Sequence, residues 1–310
     1  MLIITGTIAY DYIMDFPEKF SDHILPEQIH NINLSFIVQN FSKRRGGTAG
    51  NASYSLGLLQ TPQILFSVAG KDFAEYKETF ETLGIRTNHV VIDNKQYTAT
   101  GFAMTDATNN QIWGYFYGAA SRIPELQLKK VAGKKDLVLI GPSGAAGSMS
   151  FVSQCISLGI PYMFDPGFIL TQVNDVDLTR GVEHATYLIG NEYELHLIKS
   201  RVKRFDTIVK NKTVITTLGE KGALIEHNRQ KLEIVPAKPK RVVDPTGAGD
   251  AWRSGFLAGM SRGFDLQTSG QMGALSAVYC VEQYGPQEHT FTLQQFEKRY
   301  RQTYKSLLSL

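Results

Sequence analysis

A glycine-rich segment late in the chain carries the residues best suited to chemistry. Its sequence is Asp244-Pro245-Thr246-Gly247-Ala248-Gly249-Asp250-Ala251. The small side chains of Gly247, Ala248 and Gly249 allow successive backbone N–H groups to converge on an anion at a helix start. A carboxylate at Asp250 would repel a bound phosphate unless it accepted the proton of a hydroxyl attacking phosphorus. The segment therefore predicts phosphoryl transfer, although alone it equally fits an acidic residue in a first helical turn.

The pattern differs from the Walker A motif, because no Lys-Ser or Lys-Thr pair follows the glycines.

A second glycine-rich segment lies early in the chain, with the sequence Gly46-Gly47-Thr48-Ala49-Gly50-Asn51. Paired glycines let a ligand approach the backbone, and a helix N-terminus offers unpaired donors. Asn51 can both donate to and accept from a diol. Taken alone, such a turn also fits an ordinary start of a helix.

Strand patterns place polar residues beside these segments. Residues 2–9 form a β-branched run that predicts a strand ending just before Asp11. Other segments alternate polar and apolar side chains, which predicts strands with one exposed face in a separate sheet. These are residues 31–39, 97–104 and 111–117.

From residue 136 onward, short apolar strands alternate with helices, which predicts an α/β fold with a mostly parallel sheet covered on both faces. The predicted strands are 136–141, 161–165, 186–190 and 213–217, with a hairpin near 223–235. The predicted helices are 147–158, 177–184, 192–200, 247–262, 266–283 and 292–305. Ligands are expected beyond the carboxyl ends of the strands.

Composition excludes several classes of protein. The net charge of +3 comes from 32 basic and 29 acidic residues scattered along 310 positions, which does not predict a nucleic-acid partner. No apolar run approaches the ~20 residues of a membrane span. The early acidic residues Asp11 and Asp15 argue against a signal peptide, so we expect a soluble, cytoplasmic protein. Cys155 and Cys280 are expected to be buried thiols.

The two glycine-rich segments, in this order and separation, resemble the two signatures of the ribokinase-like (PfkB) carbohydrate kinase family, and the similarity covers nearly the whole chain. Asp11, the turn Asn109-Asn110-Gln111 before an aromatic strand, and the segment 164–167 (PheAspProGly) resemble the adenosine and nucleoside kinase branch. The resemblance implies one three-layer kinase domain over residues 1–310. It also implies a small β-sheet lid from strands at about 12–40 and 95–118.

The resemblance also implies roles for individual residues. Four positions would hold sugar hydroxyls, namely Asp11, Gly46, Gly47 and Asn51. Asp250 would be the catalytic base, and the anion hole would consist of the amides of Gly247, Ala248 and Gly249. Positions facing ATP would be Asn191, Thr217, Gly219 and Gly222. Glu194 would hold Mg²⁺ through water, and Asp244 would fit a monovalent-cation loop.

Aromatic residues of the predicted lid would stack on a nucleobase. Phe102 and Phe116 match aromatic positions of the nucleoside kinase branch, while Trp113 and Tyr117 are further candidates. The lid could also form a homodimer face. We therefore expect transfer of the γ-phosphate of MgATP to the 5′-hydroxyl of a ribonucleoside such as adenosine or inosine. A kinase of free sugars and a non-catalytic nucleoside-binding regulator remain alternatives.

Overall fold

The computed structural model of the chain describes residues 1–25, 33–108 and 110–310. Over these ranges the chain forms fourteen strands and nine α-helices. The strands are β1 (Leu2–Thr5), β2 (Ala9–Asp15), β3 (Asn40–Gly46), β4 (Gln63–Leu65), β5 (Val68–Gly70), β6 (Val91–Asp93), β7 (Ala99–Thr105), β8 (Gln111–Phe116), β9 (Leu137–Ile140), β10 (Tyr162–Phe164), β11 (Tyr187–Asn191), β12 (Thr213–Thr217), β13 (Ala223–His227) and β14 (Gln230–Ile234). The helices are α1 (Thr48–Leu58), α2 (Ala74–Thr82), α3 (Gly144–Leu158), α4 (Asp175–His184), α5 (Glu192–Arg201), α6 (Phe205–Ile208), α7 (Ala248–Ser261), α8 (Leu266–Val281) and α9 (Leu293–Tyr304).

The largest sheet has eight strands in the order β14-β13-β12-β11-β10-β9-β1-β4. The pairs from β4 to β12 are parallel, while β13 and β14 add an antiparallel hairpin at one edge. This confirms the mostly parallel central sheet. Short apolar runs form its inner strands because both faces are covered by helices.

Two cores lie on the two faces of this sheet. Ile4 and Leu139 point to a core that includes residues of α1, α7 and α8. Their neighbours Ile3 and Val138 point to a second core with residues of α3, α4 and α5. The arrangement is a three-layer α/β fold. In the described ranges, no helix has the length and apolar character needed to cross a membrane.

A separate four-stranded sheet has the order β3-β2-β7-β8. β2 pairs in parallel with β7, and the outer strands β3 and β8 are antiparallel to their neighbours. Its registers place Asp11 opposite Arg44 on one side and Gly101 on the other. The alternating segments at 97–104 and 111–117 therefore do belong to a small sheet that is separate from the large one.

The strand expected at 31–39 is wrong over residues 33–39, which are irregular, and β3 begins only at Asn40. An aromatic cluster accounts for Phe36, which packs edge-on against Phe16 and Phe20, whereas Leu34 and Ile37 are exposed. The ring centroids of Phe16 and Phe20 lie 4.7 Å and 5.5 Å from that of Phe36. Residues 31 and 32 of the expected strand, and Asn109 of the expected turn, lie outside the described residues.

The first strand is also shorter than expected. β1 ends at Thr5, and the chain leaves the large sheet at Gly6, whose φ is 139°. It enters the small sheet at Ala9, so Asp11 lies inside β2 and not at the end of β1. Asp11 is thus carried by the small sheet.

Candidate active site

Helix α7 begins within the late glycine-rich segment. Gly247 is its N-cap with φ 77°, a left-handed conformation that glycine adopts readily. The Ala248 N–H donates to the Pro245 carbonyl at 3.1 Å, so this predicted anion-hole amide already closes a turn. Among the described residues, no acceptor contacts the amides of Gly249 and Asp250, which lie in the partly exposed first turn. They are the donors available to an anion.

The two glycine-rich segments meet at one hydrogen bond. Asn51 Nδ2 donates to Asp250 Oδ2 at 2.9 Å, although 199 positions separate the two residues. Asn51 is buried in the first turn of α1, whose N-cap is Gly47. The starts of α1 and α7 therefore face each other across the proposed site of chemistry.

A buried ion pair lies behind Asp250. Arg253 Nη2 donates to Asp165 Oδ1 at 2.8 Å, and Arg253 Nε lies 2.5 Å from Asp165 Oδ2. Asp165 and Arg253 are 2% and 8% exposed. Burial raises the pKa of Asp250, whereas the Arg253 charge and the Asn51 hydrogen bond lower it. Glu194 raises the pKa of both Asp250 and Asp165, so the three carboxylates lie close enough to repel one another when they are ionised.

Sequence reasoning did not predict a role for Arg253 or Asp165. Arg253 follows Asp250 by three residues on α7, a spacing that places both on one helical face. That spacing was the available signal for Arg253. Asp165 lies just beyond the end of β10, where a parallel sheet presents its ligand-facing residues.

Asp11 lies between two glycines of the small sheet. A Cβ atom on Gly46 would lie 2.3 Å from Asp11 Oδ2, and one on Gly101 would lie 2.5 Å from Oδ1. Among the described residues, no hydrogen bond reaches the Asp11 carboxylate. Burial raises the pKa of Asp11 to about 6. Gly101 was not predicted, although a glycine interrupting a strand often marks a close approach.

The two faces of the small sheet differ in their aromatic residues. Asp11 pairs with Gly101 and Gly101 with Tyr115, so Tyr115 lies on the Asp11 face, and Trp113 lies two residues before it on the same face. The Trp113 and Tyr115 rings are stacked with centroids 5.4 Å apart. A Cβ atom on Gly101 would lie 3.1 Å from the Trp113 ring. These two rings therefore border the Asp11 carboxylate.

Phe102 and Phe116 lie on the opposite face of the sheet. Phe102 stacks on Tyr12 with centroids 5.5 Å apart, and both are one residue out of phase with Gly101 and Asp11. Phe116 pairs with Thr100 on that same face. The structure thus does not bring the two predicted phenylalanines together with Asp11. Tyr115, which sequence reasoning missed, lies beside Trp113 on the face that carries Asp11.

Residues expected to face ATP gather at the ends of β11 and β12. Asn191 and Thr217 are paired in register. Asn191 is the N-cap of α5 and forms a capping box with Glu194, in which both side-chain to backbone hydrogen bonds measure 2.8 Å. The capping box orients Glu194 and occupies its Oε2 atom. Gly219 and Gly222 lie in the turn that follows β12.

Asp244 closes a loop before α7. Its Oδ1 accepts from the Thr246 amide at 2.9 Å, and its Oδ2 accepts from the Gly285 amide at 3.0 Å. The carboxylate thus ties the late glycine-rich segment to the loop that follows α8.

Comparison with known proteins relates this architecture to kinases. Residues 10–292 match the pfkB family of carbohydrate kinases. A nucleoside kinase of Methanothermobacter thermautotrophicus is 32% identical over 295 residues, covering 92% of this chain and 91% of that protein.

Solved structures extend the similarity to the fold. A Burkholderia thailandensis nucleoside kinase in complex with inosine has a TM-score of 0.88 and 32% identity, covering 99% of both chains. A ribokinase of Thermotoga maritima, with a TM-score of 0.78, 19% identity and coverage of 97% of this chain and 98% of its own, shares the fold. The match over most of the chain shows that this protein belongs to the PfkB carbohydrate kinase family, whose members phosphorylate a hydroxyl group of their acceptor.

Proposed function

We propose that this kinase transfers the γ-phosphate of MgATP to the 5′-hydroxyl of a purine ribonucleoside such as adenosine or inosine. The observation that carries the proposal is the hydrogen bond between Asn51 and Asp250. It sets a group suited to sugar hydroxyls beside a carboxylate at the start of a helix, so acceptor and phosphoryl group would meet there. The similarity to nucleoside kinases, one of them solved with inosine, supports the choice of acceptor.

The sugar would lie between the small sheet and α1. Neither oxygen of the Asp11 carboxylate accepts a hydrogen bond from the described residues. The carboxylate therefore suits two hydroxyl protons of a ribose diol. Gly46, Gly47 and Asn51 would supply the opposite wall of the sugar site. The small sheet would act as a lid that excludes water, whose attack would hydrolyse ATP.

Phosphoryl transfer would depend on positioning and charge. Asp250 would accept the proton of the 5′-hydroxyl as its oxygen attacks the γ-phosphorus. The Gly249 and Asp250 amides, with that of Gly247, would stabilise the charge on the phosphoryl group. Ala248 would contribute by shaping the turn, because its own amide donates to Pro245.

The nucleotide would lie along the ends of β11 and β12, against Asn191, Thr217, Gly219 and Gly222. The described residues hold no cluster of three or more metal-ligating side chains. The repulsion among Asp165, Asp250 and Glu194 nevertheless fits a Mg²⁺ ion held by water and phosphate, with Glu194 as its nearest protein group. When bound, this ion would neutralise phosphate charge. We further propose that a monovalent cation binds near Asp244.

Trp113 and Tyr115 are the proposed contacts for the nucleobase, because their stacked rings border Asp11. Aromatic rings stack on any base and have no equivalent partner in a free sugar. Phe102 and Phe116, the two phenylalanines that the family resemblance suggests for this role, lie on the other face.

The outer face of the small sheet suits a second copy of the chain. This face carries four apolar residues that are between 47% and 64% exposed, namely Phe41, Phe102, Ile112 and Phe116. Adjacent exposed apolar residues often mark an interface. Sedimentation of the wild type and of Phe102→Asp tests this homodimer, because the variant should sediment as a monomer while keeping its activity.

A panel of nucleosides and free sugars, assayed with ATP and magnesium, tests the proposed function. We expect phosphate transfer to purine ribonucleosides and at least about tenfold lower kcat/KM for ribose, which lacks the stacking partner. Higher kcat/KM for a free sugar would instead identify a sugar kinase. Binding of a nucleoside without transfer to any acceptor would identify a regulator.

A further inference from the structure

A buried chain of hydrogen bonds links the early glycine-rich segment to Asp250 through two residues outside both segments. The Tyr76 hydroxyl donates to the Gly46 carbonyl at 2.8 Å, and Gln287 Nε2 donates to the Tyr76 oxygen at 2.5 Å. The same nitrogen donates to Asn51 Oδ1 at 2.9 Å. Asn51 Nδ2 then donates to Asp250 Oδ2. We call these four bonds the Gln287 relay.

The Gly46 carbonyl fixes the direction of the relay because a carbonyl can only accept. Tyr76 uses its one proton there, so its oxygen accepts from Gln287. Gln287 must therefore turn its NH₂ group inward, and its second proton reaches Asn51 Oδ1. Only the NH₂ group of Asn51 is left to face Asp250. With either amide reversed, an oxygen would face another oxygen.

The surrounding residues leave room for this relay and little else. Tyr76 is fully buried and Gln287 is 1% exposed. A Cβ atom on Gly50 would lie 1.9 Å from the Tyr76 hydroxyl. Glycine is less favourable than alanine inside a helix, so the place of Gly50 within α1 calls for a reason. Space for this hydroxyl supplies one.

We propose that Gln287 and Tyr76 are positioning residues that hold the Asn51 NH₂ group toward Asp250 and thereby orient the base. The inference deepens the proposed function and rests on the proposed role of Asp250. Titratable groups from several elements also face this carboxylate. They are Arg253 on α7, Glu194 on α5, Asp165 after β10 and Cys280 on α8. None of them takes part in the relay, so variants of the relay leave them in place.

The variant Tyr76→Phe tests the relay with the loss of one oxygen atom. Without the Tyr76 oxygen, Gln287 is free to reverse, and Asn51 with it. The ionised form of Asp250 then loses the hydrogen bond from the Asn51 NH₂ group, and the pKa of Asp250 rises. We expect kcat for inosine and ATP to fall about tenfold, and the acidic limb of kcat against pH to move up by about one unit. The KM for ATP should stay within about twofold.

Two further variants make the test specific. Gln287→Met keeps a side chain of similar length without a donor, and it should shift the acidic limb in the same direction. Tyr54→Phe is the matched control, because the buried Tyr54 hydroxyl donates to the His289 carbonyl at 2.8 Å and has no bond to the relay. Its kcat should stay within about twofold and its acidic limb should not move.

The outcomes separate positioning from a structural role. A lower kcat with an unmoved acidic limb in the folded relay variants would overturn the inference, and so would wild-type kinetics. Failure of both relay variants to fold, judged by thermal unfolding beside Tyr54→Phe, would also overturn it, because the relay would then be purely structural. Asp250→Asn tells this failure from that of the proposed function. If Asp250→Asn loses turnover and the relay variants do not, Asp250 is the base but the relay does not position it. If Asp250→Asn keeps turnover, the assignment of Asp250 as the base is wrong.

Discussion

The two carboxylates of the candidate site lie in contrasting surroundings. Asp250 accepts a hydrogen bond from Asn51 and lies near the Arg253 guanidinium, so the protein itself orients it. Asp11 lies against glycines of the small sheet, and burial alone raises its pKa to about 6. A half-buried carboxylate without a partner lowers stability, and such groups are typical of functional sites. The difference fits the proposed roles, in which the base is organised in advance and Asp11 would receive its partners from the substrate.

Asp250→Asn should separate the two carboxylates most strongly. We expect kcat to fall on the order of 10³-fold with the nucleoside KM within about tenfold, because the variant keeps the shape and loses the base. Steady-state kinetics with ATP and magnesium measure both constants. The melting temperature should not fall and serves as the control for folding, because burial raises the pKa of Asp250 and the amide that replaces it carries no charge. A kcat near that of the wild type would refute the assignment.

Asp11→Asn should affect binding and leave chemistry largely intact. Hydrogen bonds to a charged group contribute about 1.5–3 kcal/mol, so we expect nucleoside affinity to fall about 10- to 100-fold. The effect on kcat should be much smaller than that of Asp250→Asn. Calorimetric titration together with steady-state kinetics measures the split. Equal losses in kcat for both variants would show that Asp11 and Asp250 do not divide binding and chemistry between them.

The aromatic rings on the two faces of the small sheet provide a matched pair of variants. Trp113→Ala should lower nucleoside affinity about tenfold through lost stacking, while affinity for free ribose stays unchanged. Phe102→Ala, on the outer face, should leave both affinities within about twofold. A larger effect of Phe102→Ala on nucleoside affinity would reverse the assignment of the faces.

The raised pKa of Asp11 predicts a modest pH dependence of binding. The ionised form accepts the sugar protons, so affinity should be full well above pH 6 and fall as Asp11 protonates. Between pH 7.5 and 5.5 the dissociation constant should rise about fourfold. The expected curve is flat for Asp11→Asn. An unchanged dissociation constant for the wild type would show that Asp11 titrates elsewhere or does not contact the acceptor.

Local patterns predicted the central sheet well. The strand at 213–217 has the predicted bounds, and α7 begins within one residue of its predicted start, because short apolar runs and the glycine-rich segment are strong local signals. The strand expected at 31–39 is wrong because Phe36 packs in an aromatic cluster instead, while Leu34 and Ile37 stay exposed. Periodicity cannot distinguish these two uses of the same side chains.

The contacts between distant segments could not be predicted from the sequence. Which face carries Phe102 or Trp113 depends on the register of β7 with β2 and β8, which only the folded sheet fixes. Gln287 meets Asn51 across 236 positions and belongs to no recognised motif. Asp11, by contrast, was singled out by residue type, although the strand that carries it was not.

The division of the site between two sheets has a consequence for how such enzymes diversify. Asp11, Trp113 and Tyr115 belong to the small sheet, whereas Asp250 and its neighbours belong to the helical layer of the large one. Under the proposed roles, substitutions around β7 and β8 would change which alcohol is accepted without disturbing the residues proposed for transfer. Mutational libraries confined to those two strands are accordingly the natural starting point for engineering a new acceptor.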